Sequence, residues 1–489
     1  MYHISDIKKY ERCERLFWLS RRQKSEHIMY VNYSEDMNAL VKERLMLDEH
    51  VFEGHPNDDP MLALEAYKEG RTLVNARFAY EDLRIKIPVL LQEDGKTILY
   101  MTYRTCFPKE HEATFIADNL SVLSLLGIEV DELYAIHLNA EYIRGANLDV
   151  FSLLSISDCF FNAHNHPSKK IKKVVDERRR DIVPILEQMR YLDTLEMIEP
   201  KRTSFCTRGN KCAYYDTCFH EEVHPASITN LVSSQHKYAM KEEGITRLKD
   251  ADVNRIEGTR HQYAQIMADR NGGMYVDAAA LRIWNENHIE FPISYLDFEW
   301  ETYAFPPYEG MKPYDVLCFQ FSLHVENELN APLTHTGFIG EGDCRIAFIE
   351  QLIQEVPKKG SILVYNMEGA EKLRLRQLAS QFPQYAKDLE QIWERMVDLS
   401  LPFSTGSVYD VRMQGLYSLK VLVPIFSSYN YQDLAISHGM DAVAQWRLYG
   451  KSEGSEKAKI YDELMQYCSM DTYAEFIIYH ALLNLMTNH

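Results

Sequence analysis

The chain lacks any hydrophobic run of about 18 residues, so we expect no membrane-spanning helix and no membrane partner. Its first residues, MYHISDIKKYERCERLFWL, scatter charges through the segment and predict no signal peptide. These two absences predict a cytoplasmic protein. The composition, 46% hydrophobic and 26% charged, is typical of a globular protein. At a prior of about 150 residues per domain, the 489 residues predict two to four domains.

An excess of positive charge is also missing, because the net charge is −19. This balance argues against a simple basic surface for nucleic acid. It leaves nucleic-acid chemistry open, since bound divalent cations reverse the local sign of an acidic site. One local basic run, KKIKKVVDERRR at 169–180, fits a solvated helix face and a binding surface equally well.

Paired cysteines separated by two residues, typical of zinc ribbons, are absent from the loop that is richest in cysteine. The nine cysteines are an odd number, and we expect no disulfide framework in a cytoplasmic chain. The segment CTRGNKCAYYDTC instead spaces Cys206, Cys212 and Cys218 evenly, and Cys13 on the first predicted helix is the best fourth ligand. Four thiolates can hold an iron–sulfur cluster or zinc. No flavin or nicotinamide motif accompanies them, which disfavours a redox sensor.

Hydrophobic patterning predicts an α/β protein with three regions. Residues 1–222 mix helices and strands, with consecutive strands over 76–104 and a helix over 172–200. Short helices with turn signals predict a connector over 223–290. From 291 to 489, several strands come first and helices follow, as around a central sheet.

The N-terminal region resembles a known nuclease family. The segment ISDIKKYERCERLFWL, together with three cysteines after the last helix, is similar to the iron–sulfur PD-(D/E)XK nucleases, which include AddB-type helicase–nucleases and CRISPR-adaptation nucleases. The resemblance implies a nuclease-like fold with a [4Fe–4S] cluster, or alternatively zinc. Its ligands would be Cys13, Cys206, Cys212 and Cys218.

The resemblance also implies that this domain has lost its catalytic residues. Such a site needs one acid on a strand and an acid-x-lysine on the next, to hold Mg²⁺ and activate water. The matching positions are Pro88 in IPVLL and Tyr100 and Thr102 in LYMTYR. The nearby charged residues lie in a predicted turn and do not replace them: Glu93, Asp94 and Lys96. We therefore expect an inactive domain that binds nucleic acid or serves as a scaffold.

Two acids mark the C-terminal region. Asp297 and Glu299 in YLDFEW lie on a predicted buried strand, where residues i and i+2 share a face. Two close, unpaired negative charges are costly, and bound metal ions would supply the missing positive charge. Downstream, SILVYN predicts a strand, and Glu371 opens the following helix with Glu368 as a rival acid. In YCSMD, Tyr467 and Asp471 share one helix face.

These segments resemble the tyrosine-bearing DEDD exonucleases, which have an RNase H-like (DnaQ-like) fold. Together with HLNAEYIRG and GLYSLKVLVP, they make nearly the whole chain similar to a bacterial family that joins both kinds of nuclease domain. The resemblance implies two Mg²⁺ or Mn²⁺ ions and a tyrosine that orients water. The implied metal ligands are Asp297, Glu299, Glu371 and Asp471, with Tyr467 as the water-orienting group and Asp398 as a nearby non-ligand. His324 in FSLHV could approach substrate, but we expect a core histidine with its hydrogen bonds satisfied.

The sequence thus predicts a metal-dependent 3′–5′ exonuclease that hydrolyses phosphodiester bonds in its C-terminal domain, with DNA favoured over RNA. The alternative is a non-catalytic protein that binds nucleic acid or assembles with protein partners in DNA repair or defence. Loss of one site favours this alternative, whereas the retained acids of the other site oppose it.

Overall fold

A computed structural model describes residues 1–23, 36–48, 50–206, 212–219, 224–429, 431 and 439–488. The chain divides into two compact units: unit 1 comprises Met1–His220 and Tyr303–Asp315, and unit 2 comprises Glu221–Thr302 and Val316–His489. Both units mix helices and sheets, which confirms the predicted α/β class. The predicted boundary at 222–223 falls outside the described residues. Within the described ranges, no helix has the length and apolarity that crossing a bilayer requires.

Unit 1 is built on one large sheet. Its strands are β1 (Tyr2–His3), β2 (Phe52–Glu53), β3 (Leu73–Tyr80), β4 (Leu83–Glu93), β5 (Lys96–Thr102), β6 (Glu132–Leu138), β7 (Leu154–Ser157), β8 (Cys159–Phe161) and β9 (Pro167–Lys170). Its helices are α1 (Ile4–Arg12), α2 (Glu14–Arg22), α3 (Met37–Arg44), α4 (Pro60–Lys68), α5 (Ala113–Leu125), α6 (Val150–Leu153), α7 (Ile171–Glu177), α8 (Val183–Thr194) and α9 (Tyr215–Cys218). The order in the sheet is β2-β3-β4-β5-β6-β7, with β1 beside β4, while β8 and β9 form a separate hairpin.

The predicted strands over 76–104 are confirmed as parts of β3, β4 and β5. The turn between the last two uses Asp94 and Gly95, both with positive φ. Two segments that were each predicted as one continuous helix form two helices instead. The first helix breaks at Cys13, whose backbone is extended, and the helix over 172–200 splits into α7 and α8, with Pro184 in the first turn of α8.

Unit 2 contains a five-stranded sheet and a two-stranded one. Its strands are β10 (Met274–Val276), β11 (Ile293–Thr302), β12 (Val316–Glu326), β13 (Thr334–Ile339), β14 (Ile362–Val364), β15 (Met396–Asp398) and β16 (Val408–Asp410). Its helices are α10 (Lys237–Glu242), α11 (Arg260–Arg270), α12 (Ala278–His288), α13 (Arg345–Glu355), α14 (Glu371–Gln381), α15 (Ala386–Trp393), α16 (Leu401–Ser404), α17 (Leu419–Phe426), α18 (Gly439–Tyr449) and α19 (Gly454–Asn488).

The main sheet of unit 2 has the order β13-β12-β11-β14-β15. The central strand β11 is antiparallel to β12 and parallel to β14, which is parallel to β15. The predicted connector lies in unit 2, and its β10 pairs with β16. Strand β10 was not predicted, because three residues are too few to display a hydrophobic period of two.

Strand β11 separates two apolar layers. Leu296 and Phe298 pack with residues of α13 and α14, whereas Tyr295 packs with Ile478 and Tyr479 of α19. The alternation predicted for YLDFEW is therefore confirmed. Asp297 and Glu299, two and four residues after Tyr295, point to the same face of β11, which is the face covered by α19.

Candidate metal centre

Three carboxylates from two elements converge beside the central strand. Asp297 and Glu299 come from β11 and Asp471 comes from α19, and one oxygen of each lies within 4.8 Å of the others. Among the described residues, this is the only group of three or more histidine, cysteine or acidic side chains at that spacing. The group is therefore a candidate site for a divalent cation, since Mg²⁺ and Mn²⁺ prefer oxygen ligands.

The two glutamates near the second predicted acid face different surroundings. Glu371 opens α14, is 2% exposed and has an oxygen, Oε2, without a hydrogen-bond partner among the described residues. Glu368 is 60% exposed and pairs with Lys372 at 3.0 Å and Arg376 at 3.2 Å, contacts that lower its pKa. Glu371 lines the same cavity as the three converging acids, and Glu368 does not.

That cavity has a volume of about 580 Å³ and an acidic floor. Its walls are formed by residues of β11, the loop after β14, α17 and α18: Trp300, Tyr365, Leu419, Met440 and Val443. Trp300 follows a β-bulge after Glu299, and the guanidinium carbon of Arg374 lies 4.6 Å from the centre of its ring. Apolar and aromatic walls beside an acidic floor suit a ligand with flat apolar parts that binds together with a cation.

Burial dominates the electrostatics of the acids. It raises the pKa values of Asp297, Glu299 and Glu371 well above their usual range, and repulsion between the neighbouring carboxylates raises them further. Burial also raises the pKa of Asp471 to about 6. The protein alone therefore disfavours the fully ionised cluster. A bound cation would offset this repulsion, so the donor set fits a divalent metal.

Lys420 provides positive charge that the sequence analysis did not assign to the site. It lies at the start of α17 and lines the cavity, with its ammonium 5.5 Å from the ring centre of Tyr467. Its charge lowers the pKa values of Asp297, Glu299 and Asp471, against the larger effect of burial. Lys420 stands in the segment GLYSLKVLVP, one of those carrying the family resemblance, although nothing local marks it as a site residue.

A further buried acid, Glu475, was also missed. It is 1% exposed and lies one helical turn after Asp471. Burial, followed by the charges of Asp297, Glu371 and Asp471, raises its pKa well above the usual range. Its Oε2 has no hydrogen-bond partner among the described residues. The i, i+4 spacing from Asp471 could have identified it.

Hydroxyl and thiol groups complete the surroundings of the acids. Tyr467, on α19, is 4% exposed, and its hydroxyl group lowers the pKa of Asp471. The Cys468 thiol lies 3.4 Å from Oδ2 of Asp297 and donates a hydrogen bond to it. The predicted tyrosine therefore lies beside the acid cluster, and Cys468 contacts it.

Asp398 and His324, which were not predicted to be metal ligands, form hydrogen bonds with other residues. Asp398 accepts hydrogen bonds from the backbone N–H groups of Asn366 and Ser400, at 3.1 and 2.8 Å, and so fixes the loop after β14. His324 is hydrogen-bonded through Nδ1 to Thr472 at 2.8 Å and stacks on His335. Burial lowers the pKa of His324 to about 4.

The four cysteines implicated in a cluster line one cavity in unit 1. Cys13 separates α1 from α2, whereas Cys206, Cys212 and Cys218 come from the end of the unit. The helices are tied to that end by hydrogen bonds, including Arg12 to the Phe205 carbonyl at 2.8 Å. Residues 207–211 of the cysteine loop lie outside the described residues.

The spacing of these thiols bears on which metal they could hold. Cys13, Cys206, Cys212 and Cys218 all belong to the described residues, and no three of their sulfur atoms lie within 4.8 Å of one another. A single tetrahedral zinc ion with bonds of 2.3 Å needs sulfurs about 3.8 Å apart. Arg15 donates a hydrogen bond from Nε to the Cys218 sulfur at 3.3 Å, a contact that suits a thiolate.

The positions matching the acids of a PD-(D/E)XK site carry other chemistry. Pro88 lies within β4, and Tyr100 on β5 stacks on Tyr134 with ring centres 5.5 Å apart. Thr102 ends β5. Glu93, Asp94 and Lys96 lie at the β4–β5 turn, as predicted. In the described part of unit 1, no three acids, histidines or cysteines come together at metal-binding distance.

Comparison with known proteins adds one match. A family model described as a domain of unknown function, DUF2779, matches residues 294–418, about a quarter of the chain. The matched region contains Asp297, Glu299 and Glu371 but not Tyr467 or Asp471. Neither the curated proteins nor the solved structures include a match to the chain.

Proposed function

We propose that the protein is a metal-dependent nuclease whose active site lies in unit 2, acting as a 3′–5′ exonuclease on nucleic acid, with DNA preferred. The observation that carries this proposal is the convergence of Asp297, Glu299 and Asp471, with Glu371 on the wall of the same cavity. Buried carboxylates at this spacing are the donor set of two-metal phosphodiester hydrolysis.

In this proposal, Asp297, Glu299, Glu371 and Asp471 would hold two Mg²⁺ or Mn²⁺ ions. Such ions stabilise charge on a transferring phosphate and lower the pKa of water. The unpaired Oε2 of Glu371 and the raised pKa values of the cluster support this assignment, because both are relieved by a cation. The exposed ion pairs of Glu368 leave Glu371 as the second acid.

The other side chains of the site act on substrate and water. Tyr467, whose hydroxyl group interacts with Asp471, would orient the attacking water toward phosphorus. Lys420 would hold the phosphate oxygens and favour the ionised acids. Trp300 offers an aromatic face on which a terminal base could stack, a contact that tolerates any base.

For unit 1, we propose an inactive nuclease-like domain that binds nucleic acid or serves as a scaffold. Cys13, Cys206, Cys212 and Cys218, which line one cavity, would hold a [4Fe–4S] cluster, with zinc as the alternative. The cluster would join the N-terminal helices to the end of the unit. Its role in this proposal is structural.

The decisive experiment uses single-stranded DNA and RNA labelled at either end, incubated with the protein with and without Mn²⁺. We expect stepwise shortening of DNA from the 3′ end that requires the metal and is lost in Asp297→Asn. Metal-dependent cleavage that survives Asp297→Asn would contradict the proposed site. Binding without any cleavage would favour the non-catalytic alternative.

A further inference from the structure

A second cavity, in unit 1, concentrates positive charge in a chain of net charge −19. It has a volume of about 370 Å³ and is lined by Arg77 of β3 and by Arg84 and Lys86 of β4. Arg77 and Lys86 are direct partners across the two antiparallel strands. Like charges at directly opposed positions destabilise a sheet. The arrangement is therefore costly unless an anion occupies the space between them.

Among the described residues, Arg77, Arg84 and Lys86 have no carboxylate in direct contact. None of the three forms an ion pair with a described acidic side chain. Arg77 donates to the carbonyl and side-chain oxygens of Asn75, and Arg84 donates to the backbone carbonyl of Asp58 at 2.7 Å. The Nε of Arg84 is buried and has no acceptor in the described structure. A guanidinium group with an unused donor beside an open cavity is suited to an anionic oxygen.

The cavity lies where one edge of β4 is open. On this edge β1 pairs with Leu83 and Arg84, and β5 pairs from Val89 onward, so the described pairing leaves Ile85–Pro88 unpaired on that side. The first turn of α1 closes the cavity through His3 and Ser5. A helix N-terminus adds partial positive charge at this position.

Several acids lie near the cavity without lining it. Asp6, in the first turn of α1, is held by Lys9 at 2.8 Å and by the His3 N–H at 2.9 Å. Asp36 acts on Lys86 and Asp58 acts on Arg77, but burial and the neighbouring cations outweigh them and lower the pKa values of both bases. The residues lining the cavity include no acid, so its charge is positive throughout.

We propose that this cavity binds a phosphate of a nucleic-acid strand, through Arg77, Arg84 and Lys86. The nature of the ligand rests on the proposed nuclease function, whereas the anion site rests on the geometry of unit 1 alone. Arg and Lys side chains around an open cleft recognise phosphate oxygens rather than bases. The site would therefore hold strands of any sequence.

The test measures binding of a fluorescein-labelled single-stranded DNA by anisotropy in EDTA, which separates binding from metal-dependent cleavage. The main variant is Lys86→Glu, because Lys86 lines the cavity and forms no hydrogen bond or ion pair with the described residues. The matched control is Lys68→Glu, the same charge reversal on α4 of the same unit and outside the cavity. Melting curves of both variants check that the fold is retained.

We expect Lys86→Glu to weaken DNA binding by about tenfold or more at low salt, and to reduce the slope of log Kd against log salt concentration by about one. Lys86→Arg should bind like the wild type, and Lys68→Glu should change binding at most a few-fold. Equal binding by Lys86→Glu and Lys68→Glu would overturn the proposal.

Inorganic phosphate separates a strand site from a site for small anions. If phosphate binds calorimetrically to the wild type but not to Lys86→Glu, while both bind DNA alike, the cavity serves a free anion and the strand proposal fails. If the wild type cuts no substrate yet shows Lys86-dependent DNA binding, the proposed hydrolysis is wrong and the strand site stands.

Discussion

Asp297 and Asp471 hold carboxylate oxygens within 4.8 Å of each other, although one lies on the central strand and the other on the last helix. Because like charges repel, each ionised carboxylate raises the pKa of the other, and a bound cation would offset this effect. We predict that Asp297→Asn or Asp471→Asn lowers the cleavage rate by about 100-fold or more, because metal-held charge supplies several kcal/mol of barrier reduction. The measurement is single-turnover cleavage with Mn²⁺. The control is Asp388→Asn, a change at an exposed acid on α15 that should leave the rate unaltered.

Glu371 and Glu368 provide an internally matched pair on neighbouring turns. Glu371→Gln removes a buried charge from the cavity, and we expect a loss of rate comparable to that of Asp297→Asn. Glu368→Gln breaks exposed ion pairs that contribute about 0–1 kcal/mol each, so the cleavage rate should stay within about twofold of wild type. A reversed pattern would assign the second acid to Glu368.

Lys420 should set the lower pH limit of activity. Its charge lowers the pKa values of Asp297, Glu299 and Asp471, so Lys420→Gln should raise them and keep the acids protonated to higher pH. We predict that the acidic limb of the pH–rate profile moves upward by about 0.5–1 pH unit. Lys420→Arg keeps the charge and should keep the profile. A uniform loss of rate without a shift would assign Lys420 to substrate binding alone.

Metal-free protein should lose stability as pH rises from about 4 to 6. The raised pKa of Asp471 means that the native state retains a proton that the unfolded chain has lost in this range. Asp471→Asn removes this contribution, so its melting temperature relative to wild type should increase across the window. Mn²⁺ should stabilise the wild type at pH 7 more than the variant. Parallel pH dependences of the two metal-free proteins would contradict the assignment.

The cysteine site should contain iron. Protein purified without oxygen should be brown and carry about four irons per chain. Cys212→Ala should bleach it and lower the melting temperature of unit 1, whereas Cys106→Ala, at a half-buried cysteine outside the cavity, should retain the colour. One zinc per chain without iron would contradict the [4Fe–4S] assignment and preserve the four-ligand site.

The parts of the site that were predictable from sequence depend on local periodicity. Asp297 and Glu299 share a face because strand side chains alternate, and Tyr467 and Asp471 share one because helix positions i and i+4 align. Glu475 obeys the same helical rule. Lys420 does not, because its place depends on how α17 packs against α19, a contact without a local signature.

Element boundaries were less predictable than element types. The apolar spacing of the first helical segment continues through Cys13, although the backbone there is extended. A single non-helical residue barely changes the periodicity, so the break is invisible in the pattern. The sequence could not decide between Glu368 and Glu371 as the second acid. Glu368 lies just before α14 and Glu371 is its first residue, and the two differ in burial, which the pattern does not reveal.

The composition of unit 1 from two separate stretches has a practical consequence for truncation. Phe305, from the stretch Tyr303–Asp315, is 2% exposed and belongs to a core cluster that also contains Val89 and Leu138. A fragment that stops at His220 would lack this side chain, and its core would carry a large void. A single cut in the chain therefore cannot separate the two units intact. An autonomous N-terminal fragment would need the distant stretch grafted back onto it.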